Sequence, residues 1–175
     1  MVNTLRRAGA CLNADTRCKV FNAFLKPHIL YCATVWGNIP QGEVTKMDTT
    51  IKHAARVILR SEKTELDEAT LNSIGLRPFR QLMFHLNSTM IFRILANEMH
   101  KYYLCTDLIG NSSQYTTRGT DGRRFNTFKH RRMADEYGFH CQAIRDWNTL
   151  PAAITVLTNF NAFNKSTLSF LNSQI

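Results

Sequence analysis

Pro78-Phe79-Arg80-Gln81-Leu82-Met83-Phe84-His85-Leu86-Asn87-Ser88-Thr89-Met90-Ile91-Phe92-Arg93-Ile94-Leu95 is the stretch that decides the fold. Leu82, Met83, Leu86, Met90, Phe92, Ile94 and Leu95 make it apolar over much of a helix's circumference, the pattern of a buried central element. Pro78 suits the first turn of such a helix, because its fixed φ of about −65° is already helical and its missing amide would be unbonded there anyway. The spacing predicts a helix from Phe79 to about Leu104.

Upstream, Leu71, Ile74, Gly75 and Leu76 read as a short helix stopped by glycine. Before it, Glu62, Glu65, Asp67 and Glu68 set four acids against Lys63. Met47, Ile51, Ala54, Ala55 and Ile58 follow a helical stripe, while Lys46, Lys52, Arg56 and Arg60 lie off it. That helix has one apolar face and one basic face. Between Asn13 and Trp36 the apolar residues again recur at helical spacing, with Asn13 or Asp15 as the cap. Pro27 predicts a kink or break at Lys26, with a second helix continuing from Pro27 to Val35.

Downstream, periodicity is lost from Cys105 to about Arg132, where glycine, serine and asparagine mark a loop or irregular hairpin. A helix follows from about Ala134, carrying Tyr137, Cys141, Ile144 and Trp147 until Leu150 and Pro151 end it. A terminal helix spans Phe160 to Leu171. The fold expected is mainly α: an irregular helical module with a long basic loop or hairpin before its C-terminal helices. Residues 1–104 form an N-terminal helical part, 105–133 the basic loop, and 134–175 C-terminal helices packing back on the same domain.

The 175 residues and 20.1 kDa suit one ordinary domain, and a 44% hydrophobic share with 11 Phe argues against intrinsic disorder. Twenty-two Lys+Arg against 13 Asp+Glu leave a net charge of +9 and a pI near 9.6, a balance that favours polyanions. No apolar run approaches the ~20 residues of a membrane span, and the N-terminus lacks a secretory h-region, so an intracellular, reducing setting is expected. Cys11, Cys18, Cys32, Cys105 and Cys141 are odd in number and contain no CxxC, so they are expected to be buried thiols, neither disulfide framework nor zinc ribbon.

The strongest local signal is the segment Tyr115 to Arg132. Arg118, Arg123, Arg124, Lys129, Arg131 and Arg132 stand against a single acid, Asp121, with Phe125 and Phe128 interleaved. Cations can pair with phosphates while planar rings stack on unpaired bases. The bland alternative is a solvated loop paired with Asp135 and Glu136. A weaker patch, Arg6, Arg7, Arg17, Lys19 and Lys26, reads as a solvated face. Asp67/Glu68 and Asp135/Glu136 read as cap or surface charges and not as a two-metal site. His28/Cys32 and His140/Cys141 have poor spacing for zinc, so no metal and no other cofactor is expected. No serine elbow, P-loop or dinucleotide motif occurs, and no small-molecule substrate is implied. Trp36 and Trp147, each ending an apolar helix, read as core anchors.

These pieces, taken in order, resemble one family. Ala23-Phe24-Leu25-Lys26-Pro27-His28-Ile29-Leu30-Tyr31-Cys32-Ala33-Thr34-Val35-Trp36-Gly37 is similar to the segment after the polymerase region of non-LTR (LINE-type, jockey/CR1-like) retrotransposon reverse transcriptases. Lys52 to Arg60, Leu71 to Leu76 with Arg80, Thr117-Arg118-Gly119, and Trp147-Asn148-Thr149-Leu150-Pro151 with Phe160 and Phe163 resemble later motifs of that region in the same order. The resemblance covers nearly the full chain. It implies a region that helps hold template RNA and target DNA. The family's polymerase carries a Tyr-x-Asp-Asp hairpin, and this chain contains no Asp-Asp pair, so it is expected not to be an enzyme by itself. The cysteine/histidine knuckle of some relatives has no counterpart here. The expected function is that of a nucleic-acid-binding accessory fragment with RNA or DNA as partner, without membrane association, and with nuclear localisation implied only by resemblance. The alternatives are a protein-interaction or scaffold fragment that pairs with the absent polymerase region or a second copy, or a non-functional transposon remnant.

Overall fold

The computed structural model of the protein describes residues 6–7, 11–60, 66–96, 124–125 and 138–173, and these form a mainly helical structure. The chain divides into two compact units, residues 1–82 and 83–175, whereas composition alone suggests one. The expected boundaries after 104 and 133 lie outside the described residues.

In the first unit, α1 (Ala14–Val20) starts at Asn13, whose extended backbone lets its side-chain oxygen accept the Thr16 N–H at 2.8 Å. Pro27 does not break the rod at Lys26. The backbone widens into a π segment over Phe21–Leu25 and continues as α2 (Lys26–Leu30), so the chain absorbs the missing proline donor by changing its bonding period. The break comes instead at Tyr31, which is extended, and Cys32, which lies in the left-handed region at φ 50°. The helix expected from Pro27 to Val35 is therefore two, α2 and α3 (Ala33–Trp36).

The long amphipathic helix α4 (Gln41–Leu59) buries Val44, Ile51, Ala54, Ala55 and Ile58, close to the predicted stripe. Its C-cap, Arg60, is left-handed at φ 52°. Arg17, expected on a solvated face, is buried instead. Its Nη1 donates to the Val57 carbonyl at 3.0 Å and its Nε to the Asn13 carbonyl at 3.3 Å, so one guanidinium ties the start of α1 to the end of α4. Burial first, and the charge of Arg60 second, lower the pKa of Arg17 from its ordinary value.

Helix α5 (Glu68–Ser73) is capped by Asp67, which accepts from both the amide and the hydroxyl of Thr70. Gly75, at φ 73°, ends it in the conformation a glycine adopts without strain, and the Leu76 N–H returns to the Leu71 carbonyl at 2.9 Å. The apolar helix α6 (Phe79–Leu95) then begins. Its first amide, Phe79 N–H, donates to Asp48 Oδ1 of α4 at 2.7 Å. Trp36 stacks on Phe79 at 5.8 Å and sends its indole N–H to the Tyr31 carbonyl at 2.7 Å, so this anchor is a half-covered lid and not a deep core residue.

The second unit packs α6 from Met83 onward with α7 (Phe139–Thr149), α8 (Ala152–Thr155) and α9 (Phe160–Ser173). Helix α7 begins at Phe139, and residues 134–137 of the helix expected from Ala134 are not among those described. Phe84 meets Phe170, while Phe92 meets Phe160 and Phe163, so α6 and α9 run antiparallel. Phe92, Phe163 and Trp147 form a continuous ring stack, at 4.4 and 5.7 Å between successive centroids.

Asp48→Ala is expected to destabilise the fold by about 1 kcal/mol, because it strips the carboxylate from the first amide of α6, and Asp48→Asn by less, since an acceptor remains. Urea unfolding followed by circular dichroism checks this, with equal midpoints for the two variants counting against the capping role.

Candidate nucleic-acid interface

Of the residues expected to contact nucleic acid, Arg118, Arg123, Phe128, Lys129, Arg131 and Arg132 lie outside the described residues. Arg124 is exposed, as a phosphate contact requires. Phe125 beside it is not available to a base. Only 7% exposed, its ring lies 6.3 Å from that of Trp147 at a tilt of 53°, so its assignment as a stacking group is corrected to that of a core anchor. Burying the ring against an aromatic core is worth more than leaving it in solvent to await a base.

Asn148 fixes that arrangement. Its Oδ1 accepts the Phe125 N–H at 3.0 Å and its Nδ2 donates to the Phe125 carbonyl at 2.8 Å. One amide thus satisfies both backbone groups of a buried residue, as a neighbouring strand would. Each residue around it has a separate task. Trp147 and Leu150 are buried in the core, the Thr149 hydroxyl donates to the Arg145 carbonyl at 2.9 Å, and Pro151 opens α8. Asp146, also buried, accepts from Asn87 Nδ2 at 2.7 Å and from Gln142 Nε2 at 2.9 Å. The Trp147–Pro151 run therefore anchors one point of the basic segment to the second unit's core.

In the first unit the cations sort by what they touch. Lys19 bonds Asp15 and Lys46 bonds Glu43, each at 2.7 Å, and Asp15 raises the Lys19 pKa first through the hydrogen bond and then through its charge. Arg17 is internal. Arg6, Arg7, Lys52 and Arg60 are exposed and Arg56 is half-exposed. Sequence reasoning marks Lys52, Arg56 and Arg60 as the basic face of α4 but not as a site. Asp48, four residues before Lys52 on the same helix, accepts the Phe79 N–H.

The thiols depart from expectation: Cys11 and Cys32 are exposed, Cys18 is half-buried with its Sγ 3.1 Å from the Ile74 carbonyl, and Cys141 is buried. Cys32 has left the helix that carries His28, so the two do not share a helical face. Among the described residues no three His, Cys, Asp or Glu side chains converge on a metal position, and no helix is long and apolar enough to cross a membrane. Phe24, Tyr31 and Val35 are 67%, 77% and 78% exposed, which is unusual for large apolar side chains within twelve residues of chain.

Asn148→Ala removes both side-chain bonds to the Phe125 backbone and is expected to cost about 1–3 kcal/mol. Asn148→Asp should cost a similar amount, because it keeps the acceptor but sets a carboxylate against the Phe125 carbonyl. Denaturant midpoints and Trp147 fluorescence report both effects.

No family model matches the chain, and neither a curated protein nor a solved structure matches it.

Proposed function

We propose that the chain is a nucleic-acid-binding accessory module, akin to the region after the polymerase domain of a non-LTR retrotransposon reverse transcriptase and without polymerase activity of its own. The observation that carries this reading is the concentration of charge: six cations against Asp121 between Arg118 and Arg132, in a chain of net charge +9. Arg124, Arg123, Arg118, Lys129, Arg131 and Arg132 pair with phosphates, and Phe128 is the ring left to stack, since Phe125 is buried. The Asn148 clasp supports this reading by giving the segment a fixed point, which lowers the ordering cost of binding.

A second reading, a protein-interaction fragment, draws support from the exposed Phe24, Tyr31 and Val35. Light scattering separates it from the first, because self-association that grows with concentration favours the interaction fragment.

Binding to structured RNA, single-stranded DNA and duplex DNA, followed by fluorescence anisotropy across a salt series, tests the proposal. Six phosphate contacts predict a log–log slope of roughly −4 to −5. Charge reversal in the double variant R123E/R124E should weaken binding and flatten the slope by about 2 or more. Unchanged affinity and slope in a folded double variant would remove this segment as the contact surface.

A further inference from the structure

We propose that the outward face of the rod formed by the π segment and α2 is a stacking surface for unpaired bases, on which the rings of Phe24, His28 and Tyr31 take the bases of a single-stranded nucleic acid. The inference rests on the nucleic-acid reading above and adds to it the strandedness of the ligand.

Register brings the three rings together. The rod buries Phe21 and Leu25 and half-buries Ile29, and Phe21 and Ile29 line a small apolar pocket with Ile51 of α4. Phe24, His28 and Tyr31 stand at i, i+4 and i+7, away from that side, and all three are exposed. Tyr31 caps α2, but its φ of −61° is still helical. Only its ψ of 119° departs, and ψ redirects the chain beyond the point where the side chain branches off. The π segment contributes at the other end. Its wider turn advances fewer degrees per residue, so Phe24, three residues after Phe21, is turned further from the core than an α-helical turn would turn it. At 1.5 Å per residue the positions of Phe24 and Tyr31 are about 10 Å apart, the length of roughly three stacked bases at 3.4 Å each.

The first unit's core does not use these rings. Phe21 and Phe79 are buried, and Trp36 covers Phe79. Phe24 and Tyr31 are left in solvent and meet no other ring among the described residues. Val35, beyond the break at Cys32, is exposed but stands outside the line.

Charge points to an anionic partner. From Thr16 to Gly42 the sequence contains no aspartate or glutamate, while Lys19 and Lys26 lie on either side of Phe24. The acids that bound this stretch are engaged, Asp15 with Lys19 and Glu43 with Lys46. A polyanion approaching the rod therefore meets no unbalanced carboxylate of this stretch. Aromatic rings in such a setting stack on any base, because every base has a π face. They select a single strand, since in a duplex each base face is covered by its neighbour. A protein-docking face would be served as well by leucine, whereas three planar rings in succession suit stacking.

Fluorescence anisotropy on the full chain tests this with single-stranded RNA, single-stranded DNA of the same sequence and the corresponding DNA duplex. F24L/Y31L keeps the apolar character and removes the planes. It should weaken binding to one or both single strands at least about tenfold, leave the duplex affinity and every salt slope unchanged, and melt as the wild type does. F24W/Y31W restores the planes and should bind at least as tightly as the wild type. If F24L/Y31L binds single strands as the wild type does, or F24W/Y31W binds as weakly as the leucine variant, the stacking face is overturned while the basic segment stands. Equal loss on single strands and duplex also overturns it, because a duplex offers no free base faces along its length. If the wild type binds none of the probes, this proposal and the reading beneath it fall together. The strand that loses most affinity in F24L/Y31L, RNA or DNA, is the one the face takes.

Discussion

The bond from the Phe79 amide to Asp48 sets where the apolar helix α6 begins, and much of the core depends on that point. A helix start leaves amides without intrahelical partners, and Pro78, immediately before it, brings no side-chain acceptor of its own. The acceptor comes from α4, 31 residues earlier. Phe79 is buried in the first unit's core, where its ring also stacks on Trp36. A shift of one residue in the start of α6 would bring a different amide to Asp48 and turn the Phe79 ring by about 100°, to a different face.

The second unit depends on a ring stack and a clasp. Phe92, Phe163 and Trp147 supply the apolar area, and Phe125 adds its edge to Trp147. Asn148 bonds both backbone groups of the buried Phe125, so the apolar and polar terms are coupled: the same residue that buries its ring has its N–H and carbonyl held by one amide. This is why a five-residue run, Trp147 to Pro151, does several jobs at once and reads in sequence as a compact signature.

Legibility in the sequence followed the range of the interaction. Helices α4 and α9 were readable because their apolar periods reflect local geometry, and Gly75 because a positive φ constrains residue type. The π segment was not, since proline rules describe a kink or a stop and say little about a widened turn that keeps the helix going. Arg17 looked like surface charge because its partner, Val57, lies 40 residues away. Phe125 looked like a stacking ring because its neighbours are basic, and nothing local announces Trp147 and Asn148, about 23 residues downstream. Composition within a segment cannot reveal which side chain a distant amide will pull inward.

The same distinction bears on charge. Net charge treats all cations alike, but their placement does not. Arg17 is internal, Lys19 and Lys46 face carboxylates, and Arg124 is exposed. The field at the surface is set by the cations that remain exposed, such as Arg124, more than by the total of +9.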